Sequence, residues 1–238
     1  MKLDVASFSC IGPRSVNEDA VASWSLDEEA SVFAIADGLG GMGSGDIASK
    51  LALSRLRQLL TSANMSGDKL VKVGRIIHRT IQAEQKQSLT SSRMATTLSF
   101  CVISGEGLHG LHCGDTRVAL VRGAGIQRLT KDQTEVQRLL DTGKLDRSEV
   151  DTYFRSNVLE SALGASSGVV FQTFEHDVRS GDRVILTTDG VHNKVRLREL
   201  KLIADLTVGA AAFVDQVREV LESRGAEDNY SMLAVFVD

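Results

Sequence analysis

Two stretches of helical spacing follow one another between residues 45 and 87 with no strand between them. In the first, Ile47, Leu51, Leu56 and Leu59 recur at threes and fours, with Asp46 near its start. In the second, Leu70, Val73, Ile77 and Ile81 form one stripe, after a polar link from Thr61 to Gly67. A βαβ crossover needs a strand after each helix, so this pairing excludes a doubly wound parallel sheet. On either side the period shortens to that of strands. Leu3 to Ser9 and Ala20 to Leu26 precede the helices, together with the apolar run Ser31 to Ala36. Ala95 to Ile103, Gly107 to His112 and Arg117 to Val121 follow them, separated by glycine-containing turns. After a charged, weakly helical excursion from Lys131 to Asn157, strands resume at Val169 to Phe174 and Arg183 to Thr188. A helix from Leu197 to Ser223, broken near Thr207-Val208-Gly209, leads to a last strand, Tyr230 to Val237. Hairpins, a helix pair, hairpins, helices and a strand predict an α+β fold of antiparallel sheets covered by helices.

The chain has 238 residues and a single proline, Pro13, with no repeat or low-complexity tract, so one domain over 1–238 is expected. Its net charge of −4, without a basic block, argues against a nucleic-acid partner. Aromatic residues at 5% leave few platforms for base stacking. Met1 to Val5 lacks the apolar run of a signal peptide, and no window approaches a membrane span. Cys10, Cys101 and Cys113 are odd in number, form no Cys-x-x-Cys pair and sit in or beside apolar stretches. Reduced thiols in a cytoplasm fit that pattern better than disulfides or a catalytic cysteine.

Chemistry enters with two apolar strands that run into Asp-Gly: Val32 to Asp37-Gly38, and Val184 to Asp189-Gly190. Asp-Gly is also a good hairpin turn. However, a carboxylate fixed on a rigid strand positions a metal ligand, and the glycine after it lets a backbone carbonyl approach the same cation. Further acids stand in Asn17-Glu18-Asp19 and Glu227-Asp228-Asn229. Gly38-Leu39-Gly40-Gly41-Met42-Gly43 satisfies the dinucleotide fingerprint in form only. No second parallel strand follows, and Asp37 would put negative charge beside a pyrophosphate. A P-loop is excluded because Asp46-Ile47 follows Gly45 where Lys and Ser or Thr are needed.

In combination these segments resemble the metal-dependent protein phosphatase family, the protein phosphatase 2C type, over essentially the whole chain. The resemblance rests on seven segments in order: Gly12 to Ala20, Ala36 to Gly41 with Gly45, Ala95-Thr96-Thr97, Gly114-Asp115-Thr116-Arg117, Leu129 to Asp132, Thr188-Asp189-Gly190, and Asp228 to Ser231. It implies a four-layer α-β-β-α sandwich, two antiparallel sheets between helix pairs, with a metal centre at one end of the sheets. It implies that Asp37 bridges two Mn²⁺ or Mg²⁺ ions, with the Gly38 carbonyl on one and Asp189 and Asp228 on the other. Glu18 would act through metal-bound water, Asp19 and Asn229 would stand behind the ligands, and Asp115 matches a position that helps bind a third, weaker cation. Arg14 would hold the phosphoryl group, where a planar fork matches two phosphate oxygens.

An all-oxygen donor set independently selects Mg²⁺ or Mn²⁺ over zinc. The implied activity is hydrolysis of phosphoserine and phosphothreonine in proteins by metal-activated water, without a phosphoenzyme. Phosphorylated proteins would be the substrates and a cognate serine/threonine kinase the natural signalling partner. A catalytically silent phosphatase-like binding module and a phosphatase of small phosphomonoesters are the rival readings; the first would be marked by loss of an acidic ligand, and none is lost. Departures from the family pattern are Leu39 and Met42 where relatives carry histidines, Gln133 after Asp132, and Ala95 for a usual glycine. The excursion over 131–157 aligns with the family's variable flap, a shaper of substrate choice.

Overall fold

A computed structural model of the protein describes residues 1–40, 44–61, 66–87, 93–105, 107–166 and 168–238. Gly41, Met42 and Gly43 of the glycine-rich loop lie outside the described residues. In chain order the strands and helices are β1 (Leu3–Cys10), β2 (Asp19–Ser25), β3 (Ser31–Leu39), α1 (Gly45–Leu59), α2 (Gly67–Gln87), β4 (Ala95–Thr96), β5 (Leu98–Ser104), β6 (Gly107–Cys113) and β7 (Arg117–Arg122). Then come β8 (Gly125–Arg128), α3 (Glu135–Asp141), a 3-10 turn (Arg147–Thr152), β9 (Gln172–His176), β10 (Arg183–Thr187), α4 (Asp189–His192), α5 (Leu197–Leu206), α6 (Ala210–Ser223) and β11 (Tyr230–Val237).

The strands form two sheets, β1-β11-β10-β7-β8 and β2-β3-β5-β6-β9, with β4 added to β3, and every described pairing is antiparallel. Strand alternation sorts their side chains into three apolar layers. On β3, Val32, Ala34 and Ala36 pack towards α1 and α2, while Phe33 and Ile35 enter the layer between the sheets. On β11, Leu233 and Val235 enter that same middle layer, and Met232, Ala234 and Phe236 pack towards α5 and α6. Both faces of these strands are buried, so their sequences read as continuous apolar runs rather than as alternation. The result is the four-layer order of helix pair, sheet, sheet, helix pair. Removing a ring from the middle layer, as in Phe33→Ala, costs about 3–5 kcal/mol.

The helix break expected near Thr207 to Gly209 is present. Gly209 adopts φ +83°, and the Asp4 carboxylate accepts from the first amide of α6, Ala210 N, at 2.7 Å. Three local expectations are corrected. β3 does not stop at Asp37: the two residues of β4 pair with Gly38 and Leu39 and carry the strand on. β9 starts at Gln172, because Val169 and Phe171 pack against the layer under the helices instead of joining the sheet. Residues 125–128 form a further edge strand, β8, which the sequence reading left out.

Candidate metal centre

Asp19 and Asp37 are direct partners across β2 and β3. They share the face of Val21 and Ile35, and so point into the space between the sheets at its end. The other sheet answers from the ends of β10 and β11. Asp189 opens α4, and Asp228 lies two residues before β11. The turn from β6 to β7 contributes Asp115, and the loop after β1 contributes Arg14 and Glu18. Glu18, Asp37, Asp115, Asp189 and Asp228 all line one cavity of about 250 Å³, together with Arg14, Gly38 and Asn229. Asp19 lies behind it, 5% exposed, and accepts from Thr188 Oγ1 at 2.9 Å. All the site residues expected from the sequence therefore converge.

Hydrogen bonds explain how such distant segments hold one geometry. The Asn229 amide donates to Ile11 O at 2.7 Å and Val16 O at 3.0 Å, and its oxygen accepts from Glu18 N at 2.9 Å. One side chain thus brackets the loop that presents Arg14 and begins the strand that presents Asp19. Thr97 clamps Asp37 from both ends: its hydroxyl accepts from Asp37 N and its own N–H donates to Asp37 O, each at 2.9 Å. Glu18 Oε1 accepts from Gly45 N at 3.0 Å, at the start of α1, where a helix terminus favours negative charge. Close approach also dictates the two glycines after the strand aspartates. A Cβ at Gly38 would stand 2.2 Å from Gly45 O, and one at Gly190 2.0 Å from Asn229 O.

Electrostatically the cluster is under strain. Burial pushes Asp37 well above the usual carboxylate range, and the charges of Asp19, Asp189, Asp115 and Asp228 push it further. Asp115 rises to about 7 through burial and then through Asp189 and Asp132, against the pull of Arg117. Asp19 also rises to about 7, chiefly through burial. Asp189 is raised by burial and by Asp228, and Glu18 by burial. Arg14 is the one cationic side chain lining the cavity among the described residues. Its Nη2 donates to Asp228 Oδ2 at 2.7 Å. So many acids cannot all ionise without more positive charge, because two carboxylates 4 Å apart repel by about 4 kcal/mol at an effective dielectric of 20.

The donor set fits hard divalent cations. Among the described residues, no three acidic, histidine or cysteine side chains already close around one point. Mg²⁺-like ions keep several waters and take only one or two carboxylates each, so they do not require three side chains closed on one point. No histidine lines the cavity among the described residues. The buried thiols of Cys101 and Cys113 are pushed up to about 12. Reasoning from sequence missed Asn157, at the end of the charged excursion, and Leu159, just beyond it, both of which line the cavity. No feature of their sequence marks them. Thr97 was visible only as part of a resembling motif.

A model of the protein phosphatase 2C family matches residues 8–236. The chain is 28% identical over 232 residues to the serine/threonine phosphatase stp of Listeria monocytogenes, covering 93% of this chain and 90% of that protein. Its structure superposes on the Mycobacterium tuberculosis serine/threonine phosphatase PstP/Ppp with a TM-score of 0.87 at 27% identity, covering 99% of each chain. It also superposes on the catalytic domain of PstP in complex with two manganese ions, with a TM-score of 0.83 at 27% identity over 99% of each chain. With that match running from β1 to β11 and the motif residues gathered in one cavity, the chain belongs to the protein phosphatase 2C family.

Proposed function

We propose that the protein is a serine/threonine protein phosphatase that works with two Mn²⁺ or Mg²⁺ ions at the Asp37–Asp189–Asp228 cavity, with a third, weaker cation at Asp115. The observation that carries this reading is the convergence of five carboxylates and one guanidinium on a single cavity in a protein phosphatase 2C fold. Asp37, Asp189 and Asp228, with the Gly38 carbonyl, are the groups that would hold the pair of cations, and Glu18 would reach them through water. When bound, the cations supply a nucleophile from water at neutral pH and neutralise phosphoryl charge. Asp19 and Asn229 keep the ligands in place, Asp19 through Thr188 and Asn229 through the loop of residues 11–16. Arg14 now spends its charge on Asp228. With Asp228 engaged as a ligand, the Arg14 guanidinium would be free to hold two phosphoryl oxygens. Among the described residues no cysteine, serine, threonine or histidine lines the cavity, which supports direct attack by water without a phosphoenzyme.

Residues 1–238 act as one catalytic unit in this reading, with 131–157 as the flap that shapes substrate choice. Phosphorylated proteins in the cytoplasm are the substrates, opposed by a cognate serine/threonine kinase. Among the described residues no helix is long and apolar enough to cross a membrane. The test is to assay purified protein on phosphoserine, phosphothreonine and phosphotyrosine peptides, with chelator, Mn²⁺ or Mg²⁺. Turnover of the first two only with metal is expected. Full activity in excess chelator, or activity confined to small phosphomonoesters, would refute the proposal.

A further inference from the structure

A second cavity, of about 380 Å³, lies on the opposite face of the β1-β11-β10-β7-β8 sheet from the middle layer. Its floor is apolar: Ile185 from β10, and Leu197 and Leu200 from α5. Its wall is basic. Arg117 from β7, Arg128 from β8 and Arg147 from the 3-10 turn all face it. One carboxylate, Asp132, pairs with two of these. It receives Arg117 Nη2 at 2.7 Å and Nε at 3.1 Å, and Arg128 Nη1 at 3.3 Å. Three guanidinium groups line the cavity and one carboxylate pairs with them there, which leaves it net positive, although Arg117 also feels Asp115 and Asp189 of the metal centre. The Arg117 and Arg128 side chains are only 29% and 28% exposed, so water offsets little of their charge, and burial holds Arg128 below its ordinary value; Arg147 is exposed at the rim. Thr187 and His192, 3.2 Å apart through Oγ1 and Nδ1, supply further polar groups.

We propose that this cavity is a binding site for a small organic phosphate with an apolar body, separate from the metal centre. A phosphate monoester carries about −1.5 to −2 at neutral pH, which a net positive wall attracts, and guanidinium groups pair with its oxygens. Asp132 occupies the Nε–Nη2 edge of Arg117 and holds the side chain in place, so the remaining Nη hydrogens meet a ligand with little side-chain freedom to lose. The isoleucine and two leucines receive the body of the ligand. The volume falls within the range of roughly 300–1,000 Å³ usual for small-molecule sites. The two cavities share no lining residue: Asp189 at the start of α4 lines the metal centre, while His192 at its end lines this one. The proposal does not depend on the phosphatase reading.

The probe is phenylphosphonate, a non-hydrolysable aryl phosphate mimic, titrated calorimetrically into the full chain in excess chelator so that no cation recruits it to the acidic cavity. Saturable one-site binding is expected. The exposed Arg147→Ala and the more deeply set Arg128→Gln should each weaken it at least about tenfold, while Arg14→Ala should leave it within about twofold. Inorganic phosphate, lacking the ring, should bind at least about tenfold more weakly. Absence of saturable binding, indifference to Arg147→Ala, loss in Arg14→Ala, or equal affinity for inorganic phosphate would each overturn the proposal. Because the metal-dependent peptide assay is scored separately, failure here leaves the phosphatase reading where it stood.

Discussion

Replacing Asp19 by Asn should stabilise the metal-free protein near pH 8 and do little for it near pH 4. Asp19 is 5% exposed, and its carboxyl group is raised from 3.8 to about 7, first by burial and then by the charges of Asp189 and Asp228. A raised folded-state value means that the folded chain keeps a proton which the unfolded chain has released. Stability therefore falls as pH rises from about 4 to about 7, and the full penalty persists above that. A rise of about 3 units at 1.36 kcal/mol each sets a ceiling on the order of 4 kcal/mol. Asparagine keeps an oxygen to accept from Thr188 but introduces an amide N–H₂ that costs about 1–3 kcal/mol if unpaired. A net gain of about 1 kcal/mol or more at pH 8 is expected. The assay is a set of urea melts of wild type and variant at pH 4, 6 and 8 in chelator, repeated with Mn²⁺. With Mn²⁺ the order should reverse. Cations that bind only the folded cluster add about 2.7 kcal/mol at a hundred times Kd, and a variant with less negative charge gains less. A variant no more stable than wild type at pH 8 in chelator, or one that gains as much from Mn²⁺, would refute the account of a cluster strained by its own charge.

Other substitutions separate ligand, clamp and scaffold. Asp37→Asn, Asp189→Asn and Asp228→Asn should each nearly abolish turnover without unfolding the protein, since a neutral amide is a poor ligand for a hard cation; near-normal kcat in the Asp37 variant would exclude it as a bridging ligand. Arg14→Ala should lower kcat/KM at least about tenfold, or about 1.4 kcal/mol, and unchanged kinetics would make Arg14 only a partner of Asp228. Gly190→Ala should destabilise the fold by about 1–3 kcal/mol or more, because its methyl would meet Asn229 O at 2.0 Å; a melt within 0.5 kcal/mol of wild type would show that the loop yields freely.

How far the sequence could be read follows from where each element's information resides. β3, β5 and β11 are mostly apolar where buried, Ser99, Ser104 and Ser231 being the serine exceptions, and their run length marks them in the sequence alone, helped by Asp37-Gly38 in β3 and Asp228-Asn229 before β11. β8 has one apolar residue, Ile126, among Gly125, Gln127 and Arg128. It is a strand only because β7 offers an edge to pair with. Val169 to Phe171 looks like a strand for the opposite reason. Its apolar residues are needed elsewhere, Phe171 filling the gap over Gly74 on α2 that any larger residue would close. β4 and α4, at two and four residues, are too short to show a period at all.

The site divides along the same line. Each candidate ligand announces itself locally, as an acid next to a glycine or asparagine where an apolar run meets a turn. What assembles the ligands is non-local: Asn229 grips a loop more than two hundred residues earlier, Thr188 reaches Asp19 across the two sheets, and Arg14 pairs with Asp228. None of these contacts has a sequence period. They can form because the middle layer, from Phe33 and Ile35 to Leu233 and Val235, holds the two sheets against each other, and close-packed interiors resist deformation. That rigidity is also why the carboxylates cannot simply move apart. A looser frame would relieve their repulsion by swelling, whereas this one leaves protonation or cation binding as the ways out. Affinity for divalent cations is thus a consequence of packing around the site as much as of the acids within it, and substitutions in the middle layer should weaken metal binding without touching a ligand.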